Sequence, residues 1–293
     1  MNLPAAGLGL AIATSLGWAG LDLTRKYLVG KMSSLALLFW LTLGSLPFFA
    51  AWYWLRGGSS LREGYWPAAI ASILLNVVAN LCFFESFKRA PLSLTIPLLS
   101  LTPVFATLFA IPLLSEVPSA WRWLGIVLVV AGAVMLHSSA TRANGGEGGY
   151  RRYLSGTLLM TATALMWAAT ISFDKRAMEA SNEPTHGLIL LSGVAASTLL
   201  VLAFRRQLSA VAEVRRAPAV LAVALAVGSF ALGTQLAALK LVSVSVVETL
   251  KRAVGNASAV AAGAVLFGES INPRGILAVV LMAAGAALVM LAR

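Results

Sequence analysis

Ten apolar runs divide this chain, at roughly 5–24, 34–55, 65–87, 92–114, 120–137, 153–173, 187–204, 217–239, 243–267 and 273–291. Each is long enough to cross about 30 Å of hydrocarbon as a helix rising about 1.5 Å per residue. The runs are continuously apolar rather than alternating, which favours helices over strands. The 293 residues are 59% hydrophobic and 11% charged, against about 25% charged in an average soluble domain. The longest polar run, 138–152, reads as a loop, so no room is left for a soluble domain. The expected fold is an all-α membrane protein of ten transmembrane helices. Disorder, a disulfide scaffold and a nucleic-acid-binding domain are excluded, and a soluble enzyme lacks the charged surface it needs. The net charge of +11 belongs mostly to helix ends and loops, so the expected surroundings are a lipid bilayer and not nucleic acid. The one cysteine, Cys82, cannot form an intrachain disulfide. The start, MNLPAAGLGL, has no basic stretch before its apolar run, which favours a retained first span over a cleaved signal peptide.

The two halves repeat. LLSEVPSAWRWLGIVLVVAGAVML at 113–136 matches LFGESINPRGILAVVLMAAGAALVML at 266–291, aligning Glu116 with Glu269 and Ala131-Gly132-Ala133 with Ala284-Gly285-Ala286. Earlier, GWAGLDLTRKYL at 17–28 matches MWAATISFDKRAM at 166–178, which pairs Trp18 with Trp167. Lys88 and Lys240 close the third span of each half. The expected organisation is a first five-helix repeat over 1–138, a linker loop over 139–152 and a second repeat over 153–293. Five is odd, so the second copy enters the membrane inverted. Inverted repeats recur in secondary transporters, with the site at the midplane between halves.

On these residues the chain resembles the drug/metabolite transporter superfamily and, within it, the EamA family. The likeness is strongest over 90–136, where a proline-rich entry, a terminal glutamate and a small-residue helix follow one another. LKRAVGNASAVAAGAVLFGESI at 250–271 and FDKRAMEASN at 173–182 also resemble the ninth-span Lys-Arg segment and the basic end of the sixth span of triose-phosphate translocators. In those relatives the Lys-Arg pair binds the substrate phosphate. Their fourth-span lysine has no counterpart here, where LLSLTP is uncharged. The resemblance implies a carrier in a bacterial cytoplasmic membrane with both termini in the cytoplasm. A tally of cations points the other way. Loops after odd-numbered spans carry 13 Lys and Arg and the opposite side 7, which by the positive-inside rule puts both termini outside.

The ninth run carries the most informative residues. Glu248, Lys251 and Arg252 lie within about 100° of arc on one helical face, with Gly255 and Ala259 following on it. Each ionised group at the bilayer centre costs about 2.5–3.5 kcal/mol even on the lenient insertion scale, so the triplet is expected to line a transport pathway. Internal pairing of Glu248 with either cation is the plainer alternative, and it leaves one positive charge over. That charge favours an anionic or zwitterionic solute, and the planar fork of Arg suits carboxylate or phosphate. Glu248 is then an ammonium partner or a proton carrier. Asn76 and Asn80 share one face of the third run, as solute ligands or as interhelical hydrogen-bonders. Trp18, Asp22 and Gln235 are further candidates, and snorkelling to the interface accounts for Arg25 and Lys26. Pro97 and Pro103 punctuate the fourth run. At the place of Pro103 the repeat has Asn256 beside Gly255, so both halves weaken a helix near mid-membrane, as a hinge or broken helix would. The recurrence of Glu116 and Glu269 reads as capping or pairing. The small-residue steps allow close helix packing, a dimer face included.

No HExxH, GxSxG, CxxC or phosphate-binding loop occurs, so neither an enzyme, a metal nor a cofactor is expected. His137 and His186 are far apart and near span ends. The reading is a secondary active transporter of a small polar metabolite, working by alternating access with proton coupling or exchange, as a monomer or homodimer. The alternatives are a flippase of a lipid-linked sugar, a non-transporting membrane subunit or sensor, and an intramembrane enzyme.

Overall fold

The computed structural model describes residues 5–90, 95–143, 146–267 and 273–291, with the side chains of 136, 139–143, 146–152 and 259–267 left undescribed. Among these residues the chain is helical, with no strand. The helices are α1 (Ala5–Leu28), α2 (Ser34–Leu43), α3 (Leu46–Arg56), α4 (Tyr65–Arg89), α5 (Thr102–Leu114), α6 (Ala120–Ala143), α7 (Gly146–Glu179), α8 (Glu183–Phe204), α9 (Pro218–Leu241), α10 (Val244–Phe267) and α11 (Pro273–Leu291). Two 3₁₀ segments, Ile96–Leu101 and Leu208–Arg216, precede α5 and α9. Among the described residues, eight stretches are long and apolar enough to cross a membrane, one of them formed by α2 with α3 and one by the first 3₁₀ segment with α5. The first half of α10 carries Glu248, Lys251 and Arg252.

Local chemistry sets many of the boundaries. The Ser33 side chain caps α2 by accepting from the Ala36 amide, and Asn182 caps α8 by accepting from Thr185. Pro184 and Pro218 sit in first turns, where their missing N–H groups cost nothing. Between α3 and α4 the chain turns through Gly57 and Gly64, both at positive φ, a conformation glycine adopts without a Cβ clash.

Two expectations change at the backbone. Residues 139–152, expected as a loop, are helical over 139–143 and 146–152. A helix satisfies its own backbone, so it can continue past the hydrocarbon into water where polar side chains are welcome. The paired hinges are also unlike each other. Around Pro97 the first half is 3₁₀ rather than α, with Pro103 in the first turn of α5. Around Gly255 and Asn256 the second half is unbroken α-helix. Proline removes a donor and clashes with the preceding turn, whereas Gly costs a helix only about 1 kcal/mol and Asn less.

The most extensive pairings are α4 with α7, α6 with α11 and α1 with α9. They are reciprocal: the third long helix of the first half packs on the first of the second half, and the first on the third. The small-residue steps serve the α6–α11 seam. A Cβ on Gly125 would come within 2.6 Å of the Gly285 carbonyl, and one on Gly132 within 2.7 Å of the Ala278 carbonyl. Gly125, Gly132 and Gly285 are therefore used inside the chain.

Polarity is inverted relative to a water-soluble protein. Leu16, Val78, Leu108, Val134, Leu200 and Val280 are exposed, while Arg25, Asp174, Glu248 and Asn256 are buried. An apolar exterior around buried charge is the arrangement hydrocarbon solvent demands.

Candidate functional site

The buried charge surrounds one cavity of about 160 Å³, of the order of an engineered cavity that holds benzene. Every residue singled out as a solute ligand lines it: Trp18 and Asp22 from α1, Asn76 and Asn80 from α4, Gln235 from α9, and Glu248, Lys251, Arg252 and Asn256 from α10, with Gly255 beside them. Pro97 and Pro103 are buried without lining it. The side chain of Ala259, and all of Glu269, lie outside the described residues.

α10 brings its three charges together by helical spacing alone. Lys251 Nζ lies 2.6 Å from Glu248 Oε1, and Arg252 Nη2 lies 3.5 Å from Oε2. Lys251 also donates to Gln235 Oε1 at 2.9 Å. Glu248 is thus the counter-ion of two cations, and its Oε2 is buried without a hydrogen-bond partner. The ring of Trp18 has two cations over it, Lys251 Nζ at 5.3 Å and the Arg25 guanidinium carbon at 5.2 Å from its centroid. Its Nε1, like Nε of Arg252, is buried without a hydrogen-bond partner. Buried donors left open in a polar cavity are places for a ligand or water.

Arg25 does not snorkel. It is 6% exposed, paired with Asp22 at 3.4 Å, and enclosed by the rings of Trp18, Phe83 and Phe84. Guanidinium is weakly hydrated and stacks on aromatic faces, so this enclosure competes with the interface. Lys26, one residue on, is exposed and reaches the Phe87 carbonyl. Asn80 donates to the Asn76 carbonyl, while Asn256 donates to Ser100 Oγ at 2.6 Å and so ties α10 to the 3₁₀ segment. Trp167 lines the cavity too, packed on Phe83 at 4.9 Å between ring centroids.

Three residues of this region were not singled out as ligands in the sequence. Asp174 of α7 lines the cavity. Its carboxylate accepts from Ser72 Oγ and lies 3.2 Å from His186 Nε2. The other ring nitrogen of His186 is 3.1 Å from the Tyr65 hydroxyl, and His186 and Tyr65 are both fully buried. Asp174 changes the charge arithmetic. The described residues lining the cavity include three acids, Asp22, Asp174 and Glu248, and three bases, Arg25, Lys251 and Arg252. The cation left over within α10 is balanced across the cavity.

Ion pairs tie the ends of the helices. Glu116 holds Lys175 at 2.5 Å and accepts the Val244 amide at 3.0 Å, so it pairs and caps α10 at once. At the far end of α4, Glu85 binds Lys88 at 3.0 Å and accepts from Ser34 Oγ at 2.8 Å.

The EamA-like transporter family matches residues 5–138 and again residues 154–291. A solved crystal structure, 21% identical, superposes with a TM-score of 0.76 over 98% of this chain and 99% of that one, which shows a shared fold. Comparison with curated proteins yields no match. The chain belongs to the EamA-like transporter family and is a multi-pass membrane protein consistent with the drug/metabolite transporter superfamily.

Proposed function

We propose that this member of the EamA-like family is a secondary active transporter of a small anionic or zwitterionic metabolite. Ten spans, arranged as two inverted five-helix repeats over 1–138 and 153–293, would carry the solute across a bacterial cytoplasmic membrane by alternating access. The reciprocal packing of α1 with α9 and of α4 with α7 supports a two-fold relation between the halves, and the repeat in sequence supports the same reading.

The observation that carries the proposal is the set of buried ionisable side chains around one cavity, drawn from α1, α7 and α10. Charge in hydrocarbon is retained where it acts. Lys251 and Arg252 bind the solute's carboxylate or phosphate, with Glu248 holding the two cations in place. Asp22, whose side chain keeps 24% of its surface, receives an ammonium where the solute has one. Asn76, Asn80 and Gln235 supply hydrogen bonds, and the face of Trp18 forms the wall. The 3₁₀ stretch at Pro97 and the first turn at Pro103 provide flexure in the first half, and Gly255 beside Asn256 provides it in the second. No nucleotide-binding motif occurs in the sequence, so a solute or ion gradient drives the cycle.

A thermal-shift screen over amino acids, sugar phosphates, nucleotides and organic cations identifies the solute class, because a ligand that binds only the folded state raises its stability. Proteoliposome uptake of the hit then tests the site. Lys251→Ala with Arg252→Ala, made on Glu248→Gln so that no buried charge is stranded, abolishes uptake while the protein remains monodisperse. Wild-type uptake by that triple variant overturns the assignment.

A further inference from the structure

We propose that Asp174 binds the coupling proton of this carrier, and that Tyr65 and His186 conduct that proton between Asp174 and the face on which α4 and α8 begin. The inference rests on the transporter reading and adds its coupling ion and route.

The geometry supplies an unbroken chain of exchangeable groups. The Tyr65 hydroxyl lies 3.1 Å from His186 Nδ1, and His186 Nε2 lies 3.2 Å from Asp174 Oδ1. Three helices meet to make it, and no water is needed between its three groups; a proton enters at the fully buried Tyr65 hydroxyl when the first turn of α4 opens to the face. One end lies at the cavity, which Asp174 lines. The other lies at the first residue of α4 and the first turn of α8. Asp174 itself is five residues from the end of α7, about 8 Å along the helix.

The proton balance closes without any co-reactant. In the starting state Asp174 is a carboxylate accepting from Ser72 and from Nε2–H of a neutral His186, whose Nδ1 accepts from Tyr65. A proton delivered to the Tyr65 oxygen sends the phenolic proton to Nδ1. The Nε2 proton then passes to Asp174, which becomes a neutral acid, and a return rotation of the imidazole and hydroxyl resets the chain. When the cavity opens to the opposite side, the neutral Asp174 gives its proton to that side, so one proton crosses with each solute.

The cavity's charges explain why an anion needs this proton. With all ionised, the three acids and three bases of the described lining sum to zero. A monoanion seated on Lys251 and Arg252 leaves one uncompensated negative charge in a low-dielectric site, an expensive state. One proton on Asp174 restores neutrality, so anion and proton favour each other. The other acids are committed elsewhere: Asp22 faces Arg25, and Glu248 faces Lys251 and Arg252. Charges at the end of α7 are paired away from the relay, Lys175 with Glu116 and Arg176 with Glu179. From neighbouring elements, Lys240 of α9 pairs with Glu183 of α8. Asp174 thus has hydroxyl and imidazole partners where each of the other cavity acids has a cation.

Infrared difference spectroscopy of the full chain in nanodiscs, recorded with and without saturating inorganic phosphate at one pH near neutrality, reads the proton directly. The anion-bound-minus-free spectrum shows the carbonyl stretch of a protonated carboxylic acid. The band is absent in Asp174→Asn and kept in Glu248→Gln and Asp22→Asn. A band that survives Asp174→Asn, or that vanishes in Glu248→Gln, overturns the proposal. The chain has two histidines, so His137→Gln leaves one, and its nitrogen resonances report the same transition. If Asp174→Asn does not fold, that signal decides alone: His186 resonances that stay unchanged on addition of phosphate in His137→Gln overturn the relay. In proteoliposomes an inward pH gradient accelerates wild-type uptake of inorganic phosphate or L-glutamate at least 10-fold over no gradient, and Asp174→Asn loses the acceleration but keeps solute exchange. Gradient-driven uptake by Asp174→Asn overturns the coupling role. Failure of wild type to move any probe in either mode, with the carboxylic band intact, breaks the transporter reading and leaves the proton site standing.

Discussion

Two polar clusters meet at the cavity, the second through Asp174, and they are built in opposite ways. Glu248, Lys251 and Arg252 share one helix and reach one another at spacings of three and four residues. Tyr65, His186, Asp174 and Ser72 come from three helices, with Asp174 and Ser72 separated by 102 positions. The first cluster exists as soon as α10 is helical. The second exists only when α4, α7 and α8 have packed. One is a fixed pair of cations with its own counter-ion, suited to binding, whereas the other is a chain of neutralisable groups, suited to moving a proton.

The largest expected effect tests the self-sufficiency of the first cluster. Lys251→Ala leaves the 2%-exposed Glu248 side chain with only a longer contact to Arg252. Breaking a buried pair this way costs about 3–5 kcal/mol. Thermal unfolding of the purified chain should record that loss, and Glu248→Gln on top of Lys251→Ala should recover most of it. A double variant as unstable as the single one would mean that Lys251 matters to the fold through Gln235 and Trp18 instead.

The second cluster should lose less, and lose it across helices. His186→Leu leaves the Tyr65 hydroxyl and one side of Asp174 without a partner, at about 1–3 kcal/mol. Because three helices share the network, His186→Leu and Ser72→Ala should be non-additive by about 0.5 kcal/mol or more in a double-mutant cycle. Additivity would show that the groups are neighbours without acting as a unit.

This contrast also accounts for what could be read from the amino-acid order. Helical character and the approximate ends of the long helices follow from local hydrophobicity, and they survive into the structure over the described residues. The α10 triplet follows from helical periodicity, as does the shared face of Asn76 and Asn80. Arg25 reads as an interfacial cation in the sequence because its enclosure comes from Phe83 and Phe84 on another helix. His186 looked idle near a span end because its partners are on α4 and α7. Asp174 sat unweighted among basic neighbours, where only the packing of α7 shows that it faces the cavity while Lys175 turns to Glu116. Neutrality of the lining is likewise a sum over three helices, and no single segment discloses it.

The smallest effect separates two tryptophans that the repeat treats as equivalents. Trp18 contacts both Lys251 and Arg25 through its ring face, and such contacts are worth about 0.5–2 kcal/mol apiece, the upper end when desolvated. Trp167 packs edge and face against Phe83 and has no cation over it among the described residues. Trp18→Leu should therefore weaken solute binding about 5- to 10-fold in the thermal-shift titration, since the two cations lose the wall that orients them. Trp167→Leu should change affinity less than about 2-fold, its cost falling on packing of α7 against α4. Equal losses of affinity would mean that both rings face the solute, and that the two-fold relation between the halves extends to how the solute is held. A larger loss at Trp167 would shift the binding centre from the α10 triplet toward Asp174, seven residues along the same face of α7.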